Sequence, residues 1–163
     1  MKNNLFSAKD LEIVYKLAEK VYSCGGAVYF VGGYVRDKLL GIESKDIDVE
    51  IHNISEDELI EILSEFGEIR VIRFSFTLYR VKGCHVDFTV PREGNGSSDS
   101  LKIASMHRDF TINSMMENVL TGEIIDLWNG RQDLENHIIR HVSSETFAED
   151  EVRVLRAAQF SAR

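Results

Sequence analysis

The fold of this chain is decided by the stretch FVGGYVRD at positions 30–37 and by KDID at positions 45–48. A run rich in Val, Tyr and Phe from Ala27 to Val31 predicts a strand, and the helix-forming residues from Tyr34 to Leu40 predict a helix. The two glycines between them predict a tight turn. Such a turn places the N-terminus of a helix, with its free N–H groups and positive dipole, at the end of a strand.

Gly32, Gly33 and Arg36 are the residues of this turn that suit a phosphate group. Glycine lets the backbone come close because it has no side chain, and the guanidinium of Arg36 matches phosphate oxygens. The alternative is that the glycine pair serves only the turn. Because two carboxylates follow about ten residues later, the sequence favours a cradle for a triphosphate beside a metal site.

Those carboxylates belong to Asp46 and Asp48. Acidic or polar residues alternate with apolar ones over residues 46–52, which predicts a half-buried strand with both carboxylates on one face, about 6–7 Å apart along the chain. Carboxylate oxygens are ligands that Mg²⁺ prefers, and two metal ions can stabilise the attacking and leaving oxygens of a displacement at phosphorus. Asp87, in the β-rich run 85–90, is the best-placed third carboxylate. The alternative is the solvated face of an edge strand.

The last segment of the chain predicts a helix over residues 148–163. Asp150, Arg153 and Arg156 are spaced three apart, so they lie along one narrow band of that helix. An Asp–Arg pair offers acceptors and donors to the Watson–Crick edge of a base. The alternative is a solvated i,i+3 ion pair. The periodicity continues to the last residue without a capping signal, which is the pattern expected of a truncated chain.

Other segments predict the surroundings of these motifs. Capping signals predict helices over residues 7–22 and 55–66, and residues 101–119 are also predicted to be helical. Strands are predicted at residues 69–74, 77–82, 85–90 and 123–127, and an exposed loop at 91–100.

Composition limits the class of protein. The chain has 163 residues, of which 44% are apolar and 28% charged, as expected for one globular domain or a domain with part of a second. The net charge of −8 excludes a non-specific polyanion binder, so any nucleic-acid contact must be local. Two cysteines are too few for a disulfide framework and indicate a cytoplasmic location. No apolar run approaches a membrane span, so no membrane partner is expected.

The motifs together resemble those of the class II CCA-adding enzyme and bacterial poly(A) polymerase family. In the order of that family they are FVGGYVRD at 30–37, KDID at 45–48, RDFTIN at 108–113, and Glu149-Asp150 followed by two arginines. The resemblance implies an α+β nucleotidyltransferase fold, in which a small mixed β-sheet with flanking helices is followed by the start of an all-helical neck. It implies a head domain over residues 1–140 and the beginning of the neck over residues 141–163.

The resemblance also implies a site and a reaction. Asp46, Asp48 and Asp87 are the catalytic residues it implies, with Mg²⁺ held by Asp46 and Asp48. The nucleotide-binding residues are Gly32, Gly33, Arg36, Arg108, Asp109, Asp150, Arg153 and Arg156. The reaction is template-independent transfer of a nucleotide from CTP or ATP to an RNA 3′ end, with CCA addition to tRNA as the leading hypothesis. The alternatives are poly(A), CC-only or A-only addition, and, in another class, a nucleotide-binding module with little activity.

The sequence departs from the family pattern at two positions. His107 stands where the family has the first arginine of Arg-Arg-Asp, and Gln159 stands where the last helix has a third arginine. We expect the second change to weaken nucleotide binding or alter base choice. Gly122, Asp126 and Gly130 match a family motif between head and neck, and we expect them to serve packing.

Overall fold

The structure is a computed structural model that describes residues 6–73, 76–91, 99–148 and 150–161. Within these residues a single sheet contains the strands β1 Ala27–Val31, β2 Asp48–His52, β3 Ile69–Arg73, β4 Thr77–Val81, β5 Asp87–Val90, β6 Met116–Asn118 and β7 Ile124–Ile125. The helices are α1 Ala8–Ser23, α2 Gly33–Leu39, α3 Glu56–Ser64, α4 Ser100–Met106, α5 Gly130–Glu135, α6 Ser144–Ala148 and α7 Val152–Ser161, with a 3₁₀ turn at Thr111–Asn113. No helix in this part of the chain is long and apolar enough to cross a membrane.

The sheet is mixed, with the strand order β3-β4-β5-β2-β1-β6-β7. β2 and β5 run parallel, and every other neighbouring pair is antiparallel. The predicted mixed sheet with flanking helices is therefore confirmed. The edge-strand alternative for Asp46 and Asp48 is wrong, because β2 lies in the middle of the sheet between β5 and β1.

α1 and α3 pack on one face of the sheet and contribute to the larger of its two hydrophobic clusters. Each begins with a capping box, in which Ser7 pairs with Asp10 and Ser55 pairs with Glu58, so the starts predicted from the sequence are confirmed. Both helices bury one apolar stripe, made of Val14, Leu17, Val21, Leu59, Ile62 and Leu63 among others. Burying one such side chain contributes about 1.5–3 kcal/mol, so these stripes hold the helices on the sheet.

The site lies on the opposite face. Val31 pairs with Asp48, and Tyr29 pairs with Glu50, in the antiparallel ladder between β1 and β2. Paired side chains lie on the same side of a sheet, so Asp48 shares its face with Val31, which packs in a smaller cluster with Tyr29 and Met116. The central strand thus faces the main core on one side and carries carboxylates on the other.

The helix predicted over residues 101–119 is wrong beyond Met106. The chain instead makes the 3₁₀ turn and then strand β6, which pairs with β1. Every residue from Thr111 to Glu117 is buried, so this segment has no solvent-exposed side of the kind that a surface helix keeps. Pairing with the free edge of β1 satisfies its backbone instead, which overrides local helix propensity.

The helix predicted over residues 148–163 corresponds to α7, which begins at Val152, and a separate helix, α6, ends at Ala148. The Asp150 carboxylate accepts a hydrogen bond of 3.0 Å from the N–H of Val152 at the start of α7. No residue of α7 is buried, so its periodic apolar residues do not form a core stripe. Most of the loop predicted over residues 91–100 falls at 92–98, outside the described residues.

Candidate active site

The glycine turn lies between β1 and α2, as predicted. Gly32 has φ 68° and ψ −134°, a conformation that favours glycine over other residues. A Cβ at this position would lie 3.6 Å from Nη1 of Arg108 and 3.8 Å from Oδ2 of Asp48. The turn therefore places the backbone beside one guanidinium and one carboxylate from distant parts of the sequence.

The predicted carboxylates lie at the start of the central strand. β2 begins at Asp48, so Asp46 precedes the strand, and the exposed–buried–exposed order of residues 46–48 places the two carboxylates on the same side. The half-buried pattern ends there, because residues 49–52 are all buried. Asp87 is the register partner of Asp48 on the parallel strand β5.

Burial and neighbouring charges shift the pKa of Asp48. Partial desolvation raises the pKa of the Asp48 carboxyl, and the negative charges of Asp87 and Asp46 raise it further. The positive charges of Arg108 and Arg156 oppose that rise. A raised pKa means that the surroundings disfavour negative charge on the carboxylate, and a bound cation would offset that effect.

Asp87 has a cationic partner of its own. Arg80 donates two hydrogen bonds to the Asp87 carboxylate, at 2.7 and 2.9 Å. Within the described part of the chain, no three His, Cys, Asp or Glu side chains are grouped closely enough to hold a metal ion. The structure therefore brings Asp46, Asp48 and Asp87 together where the parallel strands β2 and β5 begin. Asp87, however, is paired with Arg80.

Arg108 is held by a buried carboxylate. Its Nη2 donates to Oε2 of Glu50 at 2.5 Å, and the other oxygen of Glu50 lies 2.8 Å from Nε2 of His52. Burial alone would raise the pKa of Glu50, but the charge of Arg108 and the hydrogen bond with His52 lower it to about 2. Glu50 therefore supplies a fixed negative charge beneath the site.

Asp109, Asn113 and Arg36 form a second network. One oxygen of Asp109 accepts hydrogen bonds from the N–H of Phe110 at 2.7 Å and from Nδ2 of Asn113 at 3.1 Å. Oδ1 of Asn113 in turn accepts a hydrogen bond of 2.6 Å from Nη1 of Arg36, which also pairs with Asp37. The RDFTIN motif is thereby tied to the helix that follows the glycine turn.

α7 contacts this network through Arg156 and Phe160. Nε of Arg156 donates to the second oxygen of Asp109 at 2.8 Å. The guanidinium carbons of Arg36 and Arg156 lie 5.1 and 5.9 Å from the ring centroid of Phe160. Both distances are within the range of a cation–π contact, so two predicted nucleotide-binding arginines share one aromatic ring.

Arg153 and Asp150 have different surroundings. Arg153 donates to the carbonyl oxygens of Thr146 and His107, each at 2.7 Å, so it attaches α7 to the head. Its Nε lies 4.0 Å from Oδ2 of Asp150, at the outer limit of an ion pair. The predicted band is therefore not a simple solvated ion pair, because its arginines also bond to other elements. Gln159 is exposed.

Two of the three residues expected to serve packing do so, namely Asp126 and Gly130, whereas Gly122 has open space around its Cβ position. Asp126 accepts hydrogen bonds from the N–H groups of Gly130 at 2.8 Å and Arg131 at 2.9 Å, which begins α5. A Cβ at Gly130 would lie 2.1 Å from the carbonyl oxygen of Thr111. Gly122 has φ 70°. The motif therefore supports the turn that carries Asn113.

Four further residues of the site were not predicted from the sequence: Glu50, Asn113, Phe160 and Arg80. Glu50 continues the alternation of Asp46 and Asp48, which was a usable signal. Asn113 stands inside the RDFTIN motif, but its partner Arg36 lies 77 residues away. Phe160 contacts Arg36 from the other end of the chain. Arg80 pairs with Asp87 seven residues later, on the neighbouring strand β5.

A mixed sheet whose central strand presents carboxylates beside a glycine turn defines a domain with the nucleotidyltransferase fold. The sequence matches the family described as "Poly A polymerase head domain" over residues 28–140. The chain belongs to that family.

The chain is also similar to individual proteins. It is 34% identical over 158 residues to the CCA-adding enzyme of Streptococcus agalactiae, covering 90% of this chain and 39% of that protein. The structure of the Thermotoga maritima CCA-adding enzyme complexed with tRNA-CCA matches with a TM-score of 0.78 and 31% identity, over 94% of this chain and 38% of that one. A CCA-adding enzyme complexed with CTP matches with a TM-score of 0.77 and 30% identity, over 96% and 38%. The chain thus spans 39% of the length of the curated relative.

Proposed function

We propose that this chain is the catalytic head of a template-independent RNA nucleotidyltransferase that adds CMP and AMP, from CTP and ATP, to the 3′ end of tRNA. The observation that carries the proposal is the position of Asp48 beside Gly32 and Arg108, with Asp46 two residues before it and Asp87 on the adjacent strand. The similarity to CCA-adding enzymes supports it. The unpaired state of Cys24 and Cys84 agrees with a cytoplasmic location.

The residues present suit Mg²⁺. Asp46 and Asp48 would hold the ion, because both carboxylates face the same side and, among the described residues, no side chain donates a hydrogen bond to either. A third ligand from Asp87 requires its release from Arg80. When bound, Mg²⁺ supplies stabilisation of negative charge on the attacking and leaving oxygens.

The remaining residues bind and orient the nucleotide. Gly32 leaves room beside Arg108, whose guanidinium is available for phosphate oxygens. Arg36 and Arg156, which both contact Phe160, supply further positive charge. Base selection by Asp150 and Arg153 also belongs to this proposal, and so does the division into a head over residues 1–140 and a neck from residue 141.

The test is incubation of the purified chain with Mg²⁺, labelled CTP or ATP, and tRNA ending before, within or after its CCA terminus. Metal-dependent addition of two C and one A is expected. The double variant D46A/D48A is expected to lose transfer by a factor of about 100 or more while remaining folded. The matched control is D57A, which removes an exposed aspartate from the first turn of α3.

The alternatives give different results. Long runs of A indicate poly(A) synthesis, and incomplete termini indicate CC-only or A-only addition. Nucleotide binding without incorporation supports a binding module, which the net charge of −8 favours because RNA affinity is then low. Undiminished transfer by D46A/D48A contradicts the proposed site.

A further inference from the structure

Glu50 is a buried carboxylate next to the proposed catalytic aspartates. It lies two residues beyond Asp48, so it points to the same side of β2. Its side chain is 8% exposed, whereas Asp48 is exposed. A buried carboxylate is costly unless it is paired. Glu50 has two such partners, Arg108 and His52.

Both oxygens of Glu50 are occupied, and one of the two partners is itself buried. Oε2 accepts the hydrogen bond from Arg108, and Oε1 pairs with His52, which is 1% exposed. The ring of Tyr29 packs edge-on against His52, with centroids 5.6 Å apart. Glu50 is therefore a fixed acceptor rather than a mobile surface group.

Arg108 uses its two terminal nitrogens differently. Nη2 donates a hydrogen bond to Glu50, while Nη1 lies beside the glycine turn. A Cβ on Gly32 would lie 3.6 Å from this Nη1 and 3.8 Å from Oδ2 of Asp48, so the two charged groups approach the same side of Gly32. Arg108 is 58 residues away from Glu50 in the chain and follows the end of α4. Among the described residues, Glu50 is the one hydrogen-bonding partner of its guanidinium, so this tertiary contact sets the direction of that group. Without Glu50, Asp48 is an acidic group that Arg108 can reach.

We propose that Glu50 is a positioning residue, which anchors Arg108 at the glycine turn for the nucleotide phosphates and keeps its guanidinium off the Asp48 carboxylate. This inference rests on the proposed function. It assigns Glu50 a role through Arg108, without contact with the substrate.

The test compares CTP binding by the parent chain, E50M and E50M/R108M, measured by isothermal titration calorimetry without tRNA. Methionine keeps the approximate length of each side chain, and the double variant leaves no unpaired charge in the interior. The dissociation constant is expected to rise about tenfold in E50M. The added R108M substitution is then expected to change it less than about twofold, because Arg108 is already displaced.

The matched control is E117M. Glu117 is another buried carboxylate of the same sheet, and it pairs with Lys38 at 2.5 Å. We expect E117M to lower the melting temperature and leave CTP affinity unchanged. If E50M does not fold, E50Q replaces it, with a smaller rise in the dissociation constant because the amide oxygen still accepts a hydrogen bond.

Two results overturn the inference. The first is that folded E50M binds CTP as tightly as the parent chain does. If E50Q replaces E50M, the same result in E50Q counts. The other is a further tenfold loss when R108M is added, which shows that Arg108 binds the nucleotide without Glu50. A parent chain that binds neither CTP nor ATP overturns the proposed function together with the inference, whereas the first two results leave the proposed function intact.

Discussion

Gly130 shows how closely α5 approaches the turn that carries Asn113. A Cβ at this position would lie 2.1 Å from the carbonyl oxygen of Thr111 and 3.1 Å from Cγ of Met115. Because the obstacle is backbone, a rotamer change cannot relieve it. We expect G130A to lower the free energy of unfolding by about 3 kcal/mol or more, measured by urea denaturation.

Gly122 provides the matched control for Gly130. It has φ 70° and open space around its Cβ position. G122A therefore suffers only the backbone penalty of about 1–2 kcal/mol. Equal losses in G122A and G130A would show that the close approach of α5 is not what makes glycine necessary.

Asp10 connects the start of α1 to the segment before β5. Its carboxylate bonds to Ser7 and accepts a hydrogen bond of 3.0 Å from the N–H of His85. Burial alone would raise the pKa of Asp10, but these hydrogen bonds lower it to about 2. The ionised form is therefore favoured in the folded state, and its stabilising effect is present above the unfolded pKa of about 3.9.

This shift predicts a pH dependence. D10N is expected to be less stable than the parent by about 1–2 kcal/mol at pH 7, and the difference should shrink as the pH falls from about 5 to about 2. Urea denaturation across this pH range measures it. D57N, at an exposed position of α3, is the control and is expected to change little. A constant difference between D10N and the parent would contradict the assignment.

At the scale of the element, α7 is attached to the head by polar and aromatic contacts. Phe160 contacts Arg36 and Arg156, and its ring centroid lies 5.8 Å from that of Phe110. We expect F160A to speed hydrogen exchange of the α7 amides several-fold. The free energy of unfolding of the whole chain should fall by less than about 2 kcal/mol, because cation–π contacts at exposed sites contribute about 0.5–1 kcal/mol each.

Leu155 is the matched control on the same helix. It is 72% exposed, so L155A removes apolar surface without removing a contact with the head. Its α7 amides should exchange at the parent rate. If L155A accelerates exchange as much as F160A does, the attachment of α7 does not depend on Phe160.

At the scale of the whole molecule, the acidic charge bears on the RNA binding that we propose. A net charge of −8 repels phosphates, so attraction has to come from the local cluster of arginines at the site. We expect fluorescence anisotropy at physiological salt to give a dissociation constant for tRNA no tighter than about 10⁻⁶ M, the range of non-specific binding. Nanomolar binding would show that the head alone holds RNA.

Local signals in the sequence were sufficient for part of this molecule. The capping boxes of Ser7 and Ser55, the strand at Ala27–Val31 and the glycine turn were predicted correctly. A cap or a turn depends on residues within about four positions of one another, so the sequence contains the whole interaction. The same holds for the alternation that placed Asp46 and Asp48 on one side.

Tertiary structure alone decided the rest. Residues 111–117 became a turn and a strand because the edge of β1 required a partner. The pairing of Glu50 with Arg108 and the attachment of α7 join residues dozens of positions apart. By itself the sequence determined the local elements and the identity of the carboxylates, and the packed sheet determined which charges those carboxylates meet, because electrostatic contacts follow distance in space rather than in the chain.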